Sequence, residues 1–131
     1  MSSATLSKIL YVEDDPDIQD VAKMALELVG GYTLCVCSSG AEAVQEAQAF
    51  APDFILLDVM MPDMDGPSTL VELRKLPGLA DTPAVFMTAK VMPADIAHYK
   101  SLGALDVIAK PFDPMALATR IGEIWKARHD G

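Results

Sequence analysis

Five short apolar runs constrain this chain more than any other feature, each ending abruptly at a polar or charged residue and each followed by a stretch of helical periodicity. The first, Lys8-Ile9-Leu10-Tyr11-Val12, stops at Glu13-Asp14-Asp15. Pro16 then opens a helix, because its missing N–H costs nothing in a first turn. Ile18, Val21, Ala22, Ala25 and Val29 recur at helical spacing, and Gly30-Gly31 stops the run. Tyr32 to Cys37 reads as a second strand and Ala41 to Phe50 as a second helix. Asp53 to Leu57 is a third strand, continuously apolar as expected where both sheet faces are covered, and it meets an acid at Asp58. Past the turn-rich Met61-Pro62-Asp63-Met64-Asp65-Gly66, Pro67 opens a third helix carrying Leu70, Val71, Leu73 and Leu76. Ala84 to Met87 is a fourth strand ending at Thr88, and a helix from about Ala94 to Leu102 closes at Gly103. Asp106 to Ala109 is a fifth strand ending in Lys110-Pro111-Phe112. Pro114 starts a last helix with Leu117, Ile121, Ile124 and Trp125 on one face.

This order predicts an α/β fold: a (βα)5 doubly wound parallel sheet of five strands, with right-handed crossovers and helices on both faces. No repeat, linker or low-complexity tract interrupts the 131 residues, so one domain is expected over 1–131 with a core from about 8 to 125 and no output domain in this chain. A hydrophobic share of 51% supports a real core and excludes wholesale disorder. A net charge of −9 repels phosphate backbones and anionic lipid heads, which argues against nucleic acid or a membrane as direct partners. The same surplus suits divalent cations or basic protein faces. Apolar stretches such as Phe54-Ile55-Leu56-Leu57 fall far short of the ~20 residues of a membrane span, and Met1-Ser2-Ser3-Ala4-Thr5 has no signal-peptide character. Cys35 and Cys37 share one strand face at a spacing that suits neither a disulfide nor a zinc pair. They read as free thiols in a reducing cytoplasm.

Sheets of this kind bind ligands beyond the carboxyl ends of their strands. Strand one delivers Glu13 and Asp14 there, strand three Asp58, strand four Thr88 and strand five Lys110. Three carboxylates converging at about 5 Å repel one another by roughly 3 kcal/mol per pair at an effective dielectric near 20, so the cluster needs a cation. An all-oxygen set with few protein donors suits Mg²⁺ (or Mn²⁺), which keeps waters and leaves room for a phosphoryl oxygen. A carboxylate beside such a metal, a lysine and a hydroxyl is apparatus for phosphoryl transfer. Asp58 is the candidate nucleophile, because it stands alone on its strand while the strand-one pair can hold the metal.

Val12-Glu13-Asp14-Asp15, Leu57-Asp58-Val59-Met60-Met61-Pro62, Thr88-Ala89 and Lys110-Pro111-Phe112 together resemble the receiver domain of bacterial two-component response regulators, of the stand-alone chemotaxis type. The resemblance runs from about Lys8 to Trp125 and implies the flavodoxin-like strand order 2-1-3-4-5. It implies that Asp58 is the phospho-acceptor, Asp14 a direct Mg²⁺ ligand, Glu13 its water-mediated companion, and Met60 a ligand through its backbone carbonyl. Thr88 would hydrogen-bond a phosphoryl oxygen and Lys110 pair with another; Lys110-Pro111 would be cis. Asp15 follows the acidic pair, and its alternative reading is a helix cap before Pro16. Many receivers carry Tyr or Phe three residues before the lysine, where this chain has Val107. The fourth helix and a switch or output surface of Met92, Ile96 and Val107 are therefore expected to carry the change, with Thr88 still moving towards the phosphoryl group. Family members vary phosphoryl lifetime at the positions held here by Met60 and Lys90. Neither side chain suits orienting an attacking water, which predicts slow self-dephosphorylation.

The implied function is a phosphorylation-activated switch of a two-component phosphorelay, not an enzyme beyond its own phosphorylation and dephosphorylation. A sensor histidine kinase or histidine phosphotransfer protein would donate to Asp58, and a downstream protein target would read the result from a monomer or weak dimer. The alternatives are a receiver-like interaction domain independent of phosphorylation, or the receiver part of a larger regulator with a DNA-binding or enzymatic output. An aspartyl hydrolase would want a second acid two residues after Asp58, where Met60 stands. His98 and His129 read as surface residues, Met60-Met61 and Met64 as loop and core packing, Trp125 as a helix anchor, and Asp63-Met64-Asp65-Gly66 as a turn.

Overall fold

The computed structural model describes residues 5–130, with side chains to Arg128. Met1–Ala4 and the His129 side chain, both read above, lie outside the described residues. Strands β1 (Lys8–Val12), β2 (Thr33–Cys37), β3 (Phe54–Asp58), β4 (Ala84–Thr88) and β5 (Asp106–Ala109) form one parallel sheet in the order β2-β1-β3-β4-β5. Helices α1 (Pro16–Met24), α2 (Gly40–Phe50), α3 (Gly66–Arg74), α4 (Pro93–Ser101) and α5 (Pro114–Asp130) alternate with them. The strand order is the one the resemblance implied, and element ends fall within about one residue of the sequence expectations except in the first helix and at the end of the third, which stops at Arg74 short of Leu76.

The two-residue period of the strands sorts their side chains into two cores. Leu10, Val12, Ile55, Leu57 and Phe86 pack with Ala43 and Ala47 of α2, Leu70 and Leu73 of α3 and Tyr99 of α4. Ile9, Tyr11, Phe54, Leu56, Val85 and Met87 pack with Ala22 of α1, then Ala25 and Leu26, and with Leu117 and Ile121 of α5. Trp125 lies half-buried against this second core, as its anchoring role requires. Each fully buried large side chain contributes roughly 1.5–3 kcal/mol by leaving water.

The first helix differs from expectation. Its last turn, Ala25–Val29, is π-helical, and Gly30 N–H bonds Ala25 O at 3.2 Å, five residues back. The wider turn rotates Val29 off the buried face, leaving Val29 and Leu28 exposed while Ala25 and Leu26 face the core. Val21 is also exposed, because Ala22 and Ala25 define the inner face. In α3 Val71 likewise points out while Leu70 and Leu73 point in.

All five helices begin at the sheet's carboxyl edge, and the first three are capped by a local side chain. Asp15 accepts from Asp17 N at 2.9 Å, Ser39 from Glu42 N at 3.1 Å, and Asp65 from Ser68 N at 2.8 Å. Asp63-Met64-Asp65-Gly66 is the expected turn, with Asp63 at φ 68° and Gly66 N–H bonding Val59 O at 2.9 Å. A Cβ at Gly66 would lie 2.5 Å from Asp58 O, so glycine lets the start of α3 press against the end of β3.

Candidate functional site

Strand order reverses between β1 and β3, so their carboxyl ends open a crevice that no crossover covers. Glu13 follows β1 and is 1% exposed; its N–H bonds Cys37 O at 3.0 Å, extending the ladder past the last strand residue. Asp14 points out to solvent beside it. Asp58 ends β3, 3% exposed, and Thr88 ends β4, also buried. Lys110 follows β5 through a backbone bond to Thr88 O at 2.9 Å, and the Lys110–Pro111 bond is cis. Glu13, Asp14, Asp58, Met60, Thr88 and Lys110 line one cavity of about 330 Å³, together with Asp15 and Lys90. Five strand-end positions named from sequence thus meet in one place.

Oxygens of Glu13, Asp14 and Asp58 all lie within 4.8 Å of one another. Lys110 Nζ donates to Glu13 Oε1 at 2.9 Å and to Asp58 Oδ1 at 3.2 Å, so one ammonium is shared by two buried acids. Asp15 N–H donates to Glu13 Oε2 at 3.2 Å. Burial pushes the Glu13 carboxyl up to about 7, with the Asp58 charge adding to the rise and the bonds from Lys110 and Asp15 opposing it. Burial works against the Lys110 ammonium, yet the hydrogen bond to Glu13 and the charges of Asp58 and Glu13 outweigh it and hold Lys110 above its ordinary value. Three formal negative charges on oxygen donors against one shared lysine fit a hard divalent cation such as Mg²⁺. Thr88 Oγ1 accepts from Lys90 N at 3.1 Å, which leaves its own hydroxyl hydrogen to donate.

Asp15 takes the capping role weighed for it and lies at the cavity wall. Met92, Ile96 and Val107 do not form one exposed surface. Val107 is buried, and with half-buried Ile96 it lines a groove of about 380 Å³ between α4 and α5, whereas Met92 stands exposed at the start of α4. The nearby Tyr99 ring packs edge-on against Phe86 at 5.5 Å. Cys35 and Cys37 are free, their sulfurs 4.0 Å apart on one strand face. Two neighbours carried no signal in the sequence. Gln19 Nε2 donates to Glu13 O and to Ser38 Oγ, tying α1 to the ends of β1 and β2, but it reads locally as an ordinary helix amide. Tyr11 is fully buried on β1, and its hydroxyl has no hydrogen-bond partner among the described residues.

Residues 9–122 match the model of the response regulator receiver domain. A Bacillus subtilis transcriptional regulatory protein, YvrH, is 37% identical over 115 residues, covering 88% of this chain and 47% of that protein. A probable transcriptional regulator of Cyanophora paradoxa is 38% identical over 87% of this chain and 46% of its own length. The chain spans about half the length of the curated relatives it matches. The solved chemotaxis response regulator CheY4 of Vibrio cholerae superposes with a TM-score of 0.84 at 29% identity, covering 92% of this chain and 99% of that one.

Proposed function

This chain belongs to the response regulator receiver domain family, and on that premise we propose that it is a phosphorylation-activated switch in which Asp58 takes a phosphoryl group from a sensor histidine kinase or a histidine phosphotransfer protein. The observation that carries the reading is the shared cation: Lys110 bridges Glu13 and Asp58 at 2.9 and 3.2 Å beside a three-carboxylate cluster. Glu13, Asp14, Asp58 and the Met60 backbone carbonyl would hold Mg²⁺, which when bound neutralises the charge on the incoming phosphoryl oxygens. An Asp58 oxygen attacks phosphorus as the bond from phosphorus to the donor histidine nitrogen breaks, and the electron pair leaves with the imidazole. Lys110 exchanges part of its carboxylate contact for a phosphoryl oxygen, and the Thr88 hydroxyl donates to another. Phosphorylation replaces one negative charge with roughly two at the sheet edge. The change reaches a protein partner through α4 and the groove at Ile96 and Val107, with Met92 at its approach. The chain acts as a relay in the cytoplasm and turns over no substrate beyond its own phosphoryl group.

A second reading has its own support. The relatives named as transcriptional regulators are about twice the matched length, which favours a receiver serving a DNA-binding output; the Vibrio chemotaxis protein, matched over 99% of its length, favours action by contact alone. The length of the full reading frame separates the two.

Incubation with acetyl phosphate and Mg²⁺ followed by intact-mass measurement tests the site. A gain of one phosphoryl on the wild type and none on Asp58→Asn is expected. Equal labelling of both proteins would overturn the assignment.

A further inference from the structure

Met60 stands 73% exposed on the wall of the acidic cavity, two residues beyond Asp58. Several polar atoms around it are already engaged, and the Thr88 hydroxyl hydrogen is left for a phosphoryl oxygen. Lys110 is held by Glu13 and Asp58, Thr88 Oγ1 by Lys90 N, and Asp15 Oδ1 by Asp17 N. The thioether is at best a weak acceptor, so Met60 offers a water at the cavity mouth no strong hydrogen bond. It is nonetheless the cavity-lining side chain open to two-electron oxidation, since exposure governs which thioethers react. Met24, Met92 and Met115 are exposed as well but do not line this cavity.

We propose that Met60 is an oxidation-sensitive modification site, and that its sulfoxide shortens the life of a phosphoryl group on Asp58. This inference rests on the phosphoryl-acceptor reading of Asp58. The oxidant class is a hydroperoxide. A sulfur lone pair attacks the terminal peroxide oxygen, the S–O bond forms as the O–O bond breaks, and the departing oxygen takes a proton to leave as water or alcohol. Sulfur loses two electrons and the peroxide gains them. The new S=O is a strong acceptor at the same number of bonds from Cα as the Oε1 of glutamine. There it holds a water at the cavity mouth for attack on phosphorus. The water oxygen bonds phosphorus as the bond from phosphorus to the Asp58 oxygen breaks, the carboxylate is released, and both water protons end on the departing phosphate or in solvent. The thioether returns when a methionine sulfoxide reductase removes the oxygen as water, two thiols supplying the two electrons and two protons and ending as a disulfide.

The test uses the whole chain charged with radiolabelled acetyl phosphate and Mg²⁺, before and after hydrogen peroxide, with Met60 sulfoxide scored by peptide mass. Oxidised wild type is expected to lose label about two- to tenfold faster, the worth of one added hydrogen bond, and the reductase to restore the slow decay. Met60→Gln should decay fast without peroxide, and Met60→Leu should decay at one rate before and after it. Unchanged decay in wild type whose Met60 is shown to be the sulfoxide would overturn the inference alone, as would equal acceleration of Met60→Leu by peroxide. Failure of untreated wild type to take label on Asp58 would instead overturn the acceptor reading, and this inference with it.

Discussion

Lys110 Nζ lies 2.9 Å from Glu13 Oε1, joining residues 97 apart in the chain across the mouth of the sheet. The contact makes Lys110 a counter-ion of the acid cluster before any phosphoryl group arrives. Two consequences of opposite sign follow from it.

Lys110→Ala leaves Glu13 and Asp58 buried without their shared cation. Stability without metal should fall by about 3 kcal/mol at neutral pH, the lower end of the cost of breaking a buried ion pair. Mg²⁺ affinity should rise in the same variant, because the metal no longer competes with an ammonium for the carboxylates. Urea titrations with chelator and calorimetric Mg²⁺ titrations check both; weaker metal binding in the variant would contradict the shared-cation picture.

Glu13 is the acid of the site whose value burial raises. Its folded value is raised from 4.5 to about 7, so between those pH values the folded chain holds a proton that the unfolded chain has released. Stability without metal is therefore greatest below 4.5 on this account and is lost as pH rises through 7, by on the order of 3 kcal/mol. Metal needs the ionised form, so Mg²⁺ affinity climbs across the same window and binding releases protons. Glu13→Gln should flatten the stability profile and abolish the proton release. Thermal unfolding against pH, and calorimetry in buffers of different ionisation heat, measure the two effects.

Asp58→Asn keeps the shape of the β3 end and removes one of three crowded charges. The metal-free protein should gain about 1 kcal/mol, a fraction of the roughly 3 kcal/mol of pairwise repulsion, because Lys110 keeps Glu13. Mg²⁺ affinity should drop about tenfold with the loss of a charged ligand. Denaturant midpoints and metal titrations of the variant test the pair of effects together.

Gly66→Ala probes the seat of Asp58. The added Cβ would lie 2.5 Å from Asp58 O and 2.9 Å from Val59 Cα, both backbone atoms that cannot swing aside. A loss of about 1–3 kcal/mol is expected, with slower acetyl phosphate labelling, as α3 is pushed away from β3. Wild-type stability in this variant would show that the loop yields freely.

Local rules made most of the framework legible. Pro16, Pro67 and Pro114 mark helix starts, strands ended at polar residues, and β3 was continuous in apolar side chains because α/β layers cover both faces. The same rules misjudged Val21, Val29 and Val71. Spacing alone cannot see that a π-helical turn re-aims the end of the first helix, or which of several apolar stripes the sheet accepts. Gln19 escaped notice because its partners, Glu13 O and Ser38 Oγ, belong to two different strand ends.

The sequence by itself determined the alternating order of elements, the caps, and which residue types arrive at the carboxyl edge, because these depend on neighbours within a few positions. Only the tertiary structure decided that Lys110 belongs to Glu13 and Asp58 at once, that burial raises the Glu13 carboxyl, and that Val107 sinks into a groove while Met60 stands out in solvent. Desolvation and Coulomb coupling act through space across strands that are distant in sequence, so no reading of local periodicity contains them.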